Sequence, residues 1–170
     1  MLFNLVLIFI ILFLLLLLSM VWPPDSPWAP WWRTNKKTAK AICKIADIKA
    51  KDVVYDLGCG DGEVLLQAAV LGASGVGIEI DPLRVFVANL RIIKSNFQDK
   101  IIIKKKNFFE EDLSKASVII VYLVPKTLDK LLPKFKKELK KGTRIISFRY
   151  EMNLPIKNKD DKNKLYLYTI

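Results

Sequence analysis

Within VVYDLGCGDG, residues 53–62, glycine recurs at 58, 60 and 62 behind an acid at 56. A second acid, Glu79, closes the apolar run GVGIEI seventeen residues after Gly62. A β-branched run feeding a glycine-rich stretch reads as a buried strand entering a tight loop and a helix start. Glycine there lets backbone N–H groups come close to a ligand and tolerates positive φ. An acid at the tip of the second strand of a βαβ unit is placed to accept hydrogen bonds from two vicinal ribose hydroxyls. The expected ligand therefore carries a ribose.

The loop also says which nucleotide to expect. A dinucleotide fingerprint is G-x-G-x-x-G and leaves a helix N-terminus free for pyrophosphate, whereas here the spacing is G-x-G-x-G behind Asp56, with Asp61 inside it. Carboxylates at that place repel phosphate and suit the cationic amino group and sulfonium of S-adenosylmethionine. The pattern D-x-G-x-G-x-G with a downstream strand-end acid resembles motifs I and II of class I S-adenosylmethionine-dependent methyltransferases. That resemblance implies that Asp56, Gly58, Cys59 and Gly60 hold the methionine end of the cofactor, and Glu79 with Ile80 the ribose.

There is no histidine, which excludes a Ser-His-Asp triad, a Cys-His pair and a histidine-ligated zinc site, and no metal is expected. The two cysteines, Cys43 and Cys59, form no disulfide framework and read as small buried residues. Methyl transfer from a sulfonium runs without imidazole, because the cofactor supplies the reactivity and the protein aligns the partners.

From Lys51 onward strand and helix patterns alternate, which predicts an α/β fold: a Rossmann-like core with a mostly parallel sheet, helices on both faces and an antiparallel C-terminal edge strand. Strands are predicted at 53–58, 75–80, 101–106, 117–123, 144–150 and 164–170. Helices are predicted at about 35–47, capped by Thr34, and at 62–72, 82–96 and 126–140. Residues 157–164, KNKDDKNK, read as a polar turn feeding the last strand. Ligands of open α/β sheets bind beyond the carboxyl ends of the strands. At the third of these ends stand Asn107, Phe108 and Phe109, suited to an adenine through one hydrogen bond and an apolar wall, though the rings equally suit a core. At the fourth stand Tyr122, Leu123 and Pro125, where a methyl acceptor arrives. Tyr122, the candidate catalytic residue, either orients the acceptor or simply packs.

The N-terminus has a different character. Residues 2–22 carry no charge, with Asn4 and Ser19 as their polar interruptions, and as a helix they span roughly 30 Å at ~1.5 Å per residue. The division expected is a transmembrane anchor over 1–22, a Pro/Trp-rich linker over 23–33 and a methyltransferase domain over 34–170. Arg33, Lys36, Lys37 and Lys40 follow the span and no cation precedes it, which predicts a single-pass membrane protein with a cytoplasmic domain. Trp22, Trp28, Trp31 and Trp32 form an interfacial belt, or the last two line the mouth of the site. The net charge of +11 is a solvated lysine excess that also favours anionic headgroups. No aromatic-interleaved basic cluster argues for nucleic acid.

From about Trp28 to Met152 the chain resembles a narrower family of small methyltransferases, whose mitochondrial members methylate lysines of the ATP-synthase c-ring protein and of the adenine nucleotide translocase. Pro30 and Thr34 match its P-Y-V-P-T-P pattern, and DLGCGDG, the acid followed by D-P, FF-EEDLS-A and VYLVP are similar in order and spacing. Asn107 stands where an aspartate is usual, and Phe148-Arg149 replaces a polar pair. The resemblance implies lysine N-methylation of a membrane-associated protein. A lipid, quinone or RNA acceptor, or cofactor binding without turnover, are the alternatives.

Overall fold

The structure, a computed structural model, describes residues 2–21 and 33–170. Residues 23–32 of the connector expected over 23–33, and all four tryptophans, lie outside the described residues. Helix α1 runs Leu2–Val21. Its side chains are described over 4–17, about 21 Å of helix, and among the described residues no helix is long and apolar enough to cross a membrane.

The remaining elements are α2 (Lys36–Ile45), β1 (Val53–Leu57), α3 (Glu63–Val70), β2 (Ser74–Glu79), α4 (Pro82–Lys94), β3 (Ile101–Lys105), β4 (Val118–Val121), α5 (Pro125–Glu138), β5 (Arg144–Phe148), β6 (Asn158–Asp160) and β7 (Leu165–Thr169). They build a seven-stranded sheet in the order β3-β2-β1-β4-β5-β7-β6. The first five strands pair in parallel, and β7 runs antiparallel to β5.

Two elements differ from expectation. The polar stretch read as a turn contains β6, which pairs antiparallel with β7, so β6 and not β7 is the sheet edge. A three-residue polar strand has no apolar alternation to betray it, and backbone pairing alone defines it. Its hairpin is closed by Asp160, whose carboxylate accepts from the Asn163 N–H at 3.1 Å and from the Asn163 amide at 2.6 Å. Likewise α2 is capped by Asn35 rather than Thr34, the Asn35 Oδ1 accepting from the Thr38 N–H at 2.9 Å.

Alternation along the strands explains the layering. Val54, Val118, Ile120 and Ile146 face α2, α3 and Ile92 of α4, while Tyr55, Leu57, Ile119, Val121 and Ile145 face α5 through Leu128, Leu131 and Phe135. Among the described residues, three helices thus cover one face and one covers the other. Between β3 and β4 the chain makes a single 3-10 turn, Phe108–Glu110, where another helix would fit. At the end of the sheet opposite the glycine loop, Asp52 accepts from the Lys49 N–H at 2.7 Å and the Ser117 hydroxyl at 2.8 Å, and pairs with Arg144. Arg144 also donates to the Ala46 and Asp47 carbonyls at 2.6 and 2.7 Å, tying the end of α2 to β1, β4 and β5.

Gly77 in β2 sits under the glycine loop. A Cβ there would lie 2.6 Å from Ile103 Cδ1, 2.7 Å from Cys59 Sγ and 2.8 Å from Leu65 Cδ1. Gly77→Ala is therefore expected to lower stability by about 1–3 kcal/mol, read as a reduced urea midpoint; an unchanged midpoint would contradict this packing.

Candidate active site

The loop after β1 takes its shape from backbone needs that glycine meets. Gly58, Gly60 and Gly62 have φ of 86°, 54° and 76°, in the left-handed region. The N–H groups of Gly58 and Cys59 both donate to the Ile78 carbonyl, at 2.8 and 3.1 Å, so the loop is stitched to β2 as it leaves β1. Glu79 completes the stitch. Its Oε2 accepts from the Gly60 N–H at 2.9 Å, and its Oε1 from the Ile80 and Asp81 N–H groups at 2.9 and 3.0 Å. Asp81 then caps α4, accepting from the N–H groups of Leu83 and Arg84 at 2.8 and 3.0 Å.

Asp61 does not face a ligand as a free charge. Its Oδ2 lies 2.7 Å from Arg33 Nε and 2.7 Å from Arg91 Nη1. Arg91 also donates to the Asp61 carbonyl at 2.8 Å and pairs with Glu63, whose other oxygen accepts from Gln67 at 2.9 Å. The second negative charge that the sequence places in the loop is thereby compensated within the protein. It joins the segment before α2 to the start of α3 and the last turn of α4.

Asp56 is the exception. It is buried at the end of β1, and among the described residues no hydrogen-bond donor is paired with it. Burial first, then the neighbouring Glu79 and Asp61 charges, push its carboxyl up to about 7. Among the described residues no cation pairs with this buried acid.

One cleft gathers the predicted residues. Asp56, Gly58, Cys59, Gly60, Glu79, Ile80, Asn107, Phe108, Tyr122 and Leu123 all line it, whereas Phe109 and Pro125 do not. Phe109 instead packs on Phe108 with centroids 4.8 Å apart, and both rest against the core beneath α5. Asn107 caps the 3-10 turn through its Oδ1, which accepts from the Phe109 N–H at 3.1 Å, and also lines the cleft. Tyr122 packs on Phe148 at 4.3 Å, with the Arg149 guanidinium 5.8 Å from its ring centroid. Burial raises the Tyr122 phenol above its ordinary value, so it is a proton-bearing hydroxyl at neutral pH rather than a base. Burial also drives the Cys59 thiol well up, and Cys43 to about 12, which removes both as nucleophiles.

Arg33, Thr34, Ile42, Arg84 and Phe148 also line the cleft, although no spacing along the chain pointed to them as site residues. The signal along the chain was the resemblance, which singled out Thr34 and Phe148, and both line the cleft.

Residues 56–157, from the buried acid through the fifth strand and beyond, match the family described as the ANTKMT methyltransferase domain. The chain belongs to this family. The enzyme is 34% identical over 160 residues to a protein-lysine N-methyltransferase of Saccharolobus islandicus, covering 89% of this chain and 98% of that one. It is 30% identical over 100 residues to an adenine nucleotide translocase lysine N-methyltransferase of Mus musculus, covering 58% of this chain and 44% of the relative's length. Among solved structures it superposes with a TM-score of 0.79 on an RNA methyltransferase of Salinibacter ruber bound to S-adenosylhomocysteine, at 34% identity over 82% of this chain and 94% of that one. The enzyme is an S-adenosylmethionine-dependent methyltransferase with a Rossmann-like core. Its residues fit that cofactor: an unmatched buried acid for an ammonium group, a strand-end carboxylate for a ribose, and an amide beside an aromatic ring for an adenine.

The titration of Asp56 is measurable without ligand. An aspartate in an unfolded chain titrates near 3.9, and in the fold at about 7, so the native state holds the extra proton between those values. The stability this contributes is complete below about pH 4 and is lost as pH rises through about 7. Asp56→Asn, which cannot ionise, should gain over the parent between pH 5 and pH 8, by a few kcal/mol at ~1.4 kcal/mol per pKa unit. Urea unfolding at both pH values tests this, and a midpoint difference independent of pH would overturn it.

Proposed function

We propose that the enzyme methylates the side-chain nitrogen of a lysine on a membrane-associated protein. The observation that carries this reading is the acceptor edge: Tyr122 against Phe148 makes an apolar wall beside the cleft, with the Arg149 cation behind it. The aliphatic arm of a lysine suits such a wall. A cation nearby and partial desolvation both disfavour the protonated amine, leaving more of the neutral nucleophile. The Saccharolobus islandicus relative, named a protein-lysine N-methyltransferase and matched over nearly its whole length, supports the same acceptor.

S-adenosylmethionine, when bound, supplies a methyl group on a sulfonium that a neutral amine takes directly. Asp56 would hold the cofactor's ammonium group by charge, Glu79 would accept from the ribose with lone pairs its three backbone donors leave free, and Asn107 with Phe108 would receive the adenine. Tyr122 lines the approach and, as a protonated phenol, positions rather than abstracts. The lysine proton passes to water, so no strong base is required.

The uncharged sequence of α1 supports its reading as a single-pass anchor, and Arg33, Lys36, Lys37 and Lys40 after it support a cytoplasmic domain. The Salinibacter ruber relative, an RNA methyltransferase by name, favours RNA as the second reading.

Incubation of the full chain with methyl-labelled S-adenosylmethionine and native membranes, followed by separation of protein, lipid and RNA, distinguishes the readings. Label in protein is expected, at lysine by mass spectrometry; label confined to RNA or lipid would refute the lysine acceptor. Glu79→Gln should weaken S-adenosylhomocysteine about 10- to 100-fold through lost charge-assisted hydrogen bonds. In the same assay Tyr122→Phe should retain turnover within about tenfold, whereas Tyr122→Ala should raise the acceptor KM. A Phe variant as inactive as one lacking the cofactor site would make the hydroxyl itself catalytic.

A further inference from the structure

Helix α4 is apolar on the side where a surface helix should be polar. Arg84, Ala88 and Ile92 are its buried side, facing the sheet. At 100° per residue, Phe86, Leu90 and Ile93 fall on the opposite side, pointing away from the protein, and they are 58%, 50% and 59% exposed. In the same helical layer Val70 and Leu71, at the end of α3, are also exposed. The surroundings are basic. Of the seven cations in residues 82–106, Arg84 is buried, Arg91 pairs with Asp61 and Glu63, and Lys104 and Lys106 pair with Glu111, which leaves Lys94, Lys100 and Lys105 exposed with one acid, Asp99, among them.

We infer that the outer face of α4 is a membrane-docking surface, with Phe86, Leu90 and Ile93 inserted among the headgroups of an anionic bilayer and the neighbouring lysines paired with them. This rests on reading α1 as an anchor. An apolar stripe flanked by lysine is the composition of an interfacial helix, and each lysine near an anionic surface adds about 1 kcal/mol. The tether makes contact attainable: Val21 and Arg33 are twelve residues apart, so the chain between them reaches at most ~40 Å. Because α4 begins directly after Glu79 and Asp81, docking by this face sets the cleft beside the bilayer, where a lysine near the membrane surface is within reach.

Spin labels at Leu90→Cys and, in separate samples, Phe9→Cys and Lys137→Cys test this in the full chain reconstituted into bilayers with and without anionic lipid. Cys43 and Cys59 are buried with raised pKa and do not compete for label. The expected result at position 90, in anionic bilayers, is high collision with oxygen and low collision with a water-soluble nickel chelate, reverting toward the values of position 137 in neutral lipid. Nickel access at 90 equal to that at 137 would overturn the docking face. Shielding from both reagents would overturn it too, since a second copy or α1 then covers the stripe. Position 9 separates the underlying reading: water access there rejects the anchor, whereas burial at 9 with exposure at 90 rejects docking alone.

Discussion

Four carboxylates, Asp56, Asp61, Glu63 and Glu79, crowd around one glycine loop, and the way each is compensated arranges the rest of the site. Like charges at such separations in a poorly hydrated cleft repel strongly unless donors or cations meet them. Glu79 is met by three backbone N–H groups, which also hold the loop against β2. Asp61 and Glu63 are met by Arg91, and Asp61 by Arg33 as well. Among the described residues no donor or cation meets Asp56, whose carboxyl pKa is raised by burial and by the Glu79 and Asp61 charges.

The same compensation reaches outward. Arg33, directly before Thr34 and α2, lines the cleft and pairs with Asp61. At the other side of the cleft the β5 strand ends at Phe148, and Arg149 follows with φ of 76°, a costly conformation for a non-glycine residue. It is held there by the Arg149 N–H donating to the Lys164 carbonyl at 2.7 Å and by the Ser147 hydroxyl donating to the Tyr150 carbonyl at 2.5 Å. Backbone strain and these bonds together set the Phe148 ring against Tyr122 and the Arg149 cation over it.

The scaffold beneath is spare. Among the described residues, one face of the sheet carries three helices and the other carries α5 with loops, so the exposed Ile102 of β3 marks where a further helix would lie. Such a layout leaves the Tyr122 side of the cleft formed by strand tips.

Much of this was legible in the chain itself. Glycine at 58, 60 and 62, the acids at 56 and 79 and the β-branched runs determined the parallel core and the glycine-loop end of the cleft, because backbone conformation and strand alternation are local properties. The tertiary structure alone decided that Asp61 is neutralised by Arg33 and Arg91, that Asn35 caps α2, that β6 is the edge and that Phe148 and Arg149 meet Tyr122. Each of these depends on groups distant in sequence, or on backbone pairing without an apolar pattern, and charge compensation is set by three-dimensional distance, which spacing along the chain does not encode.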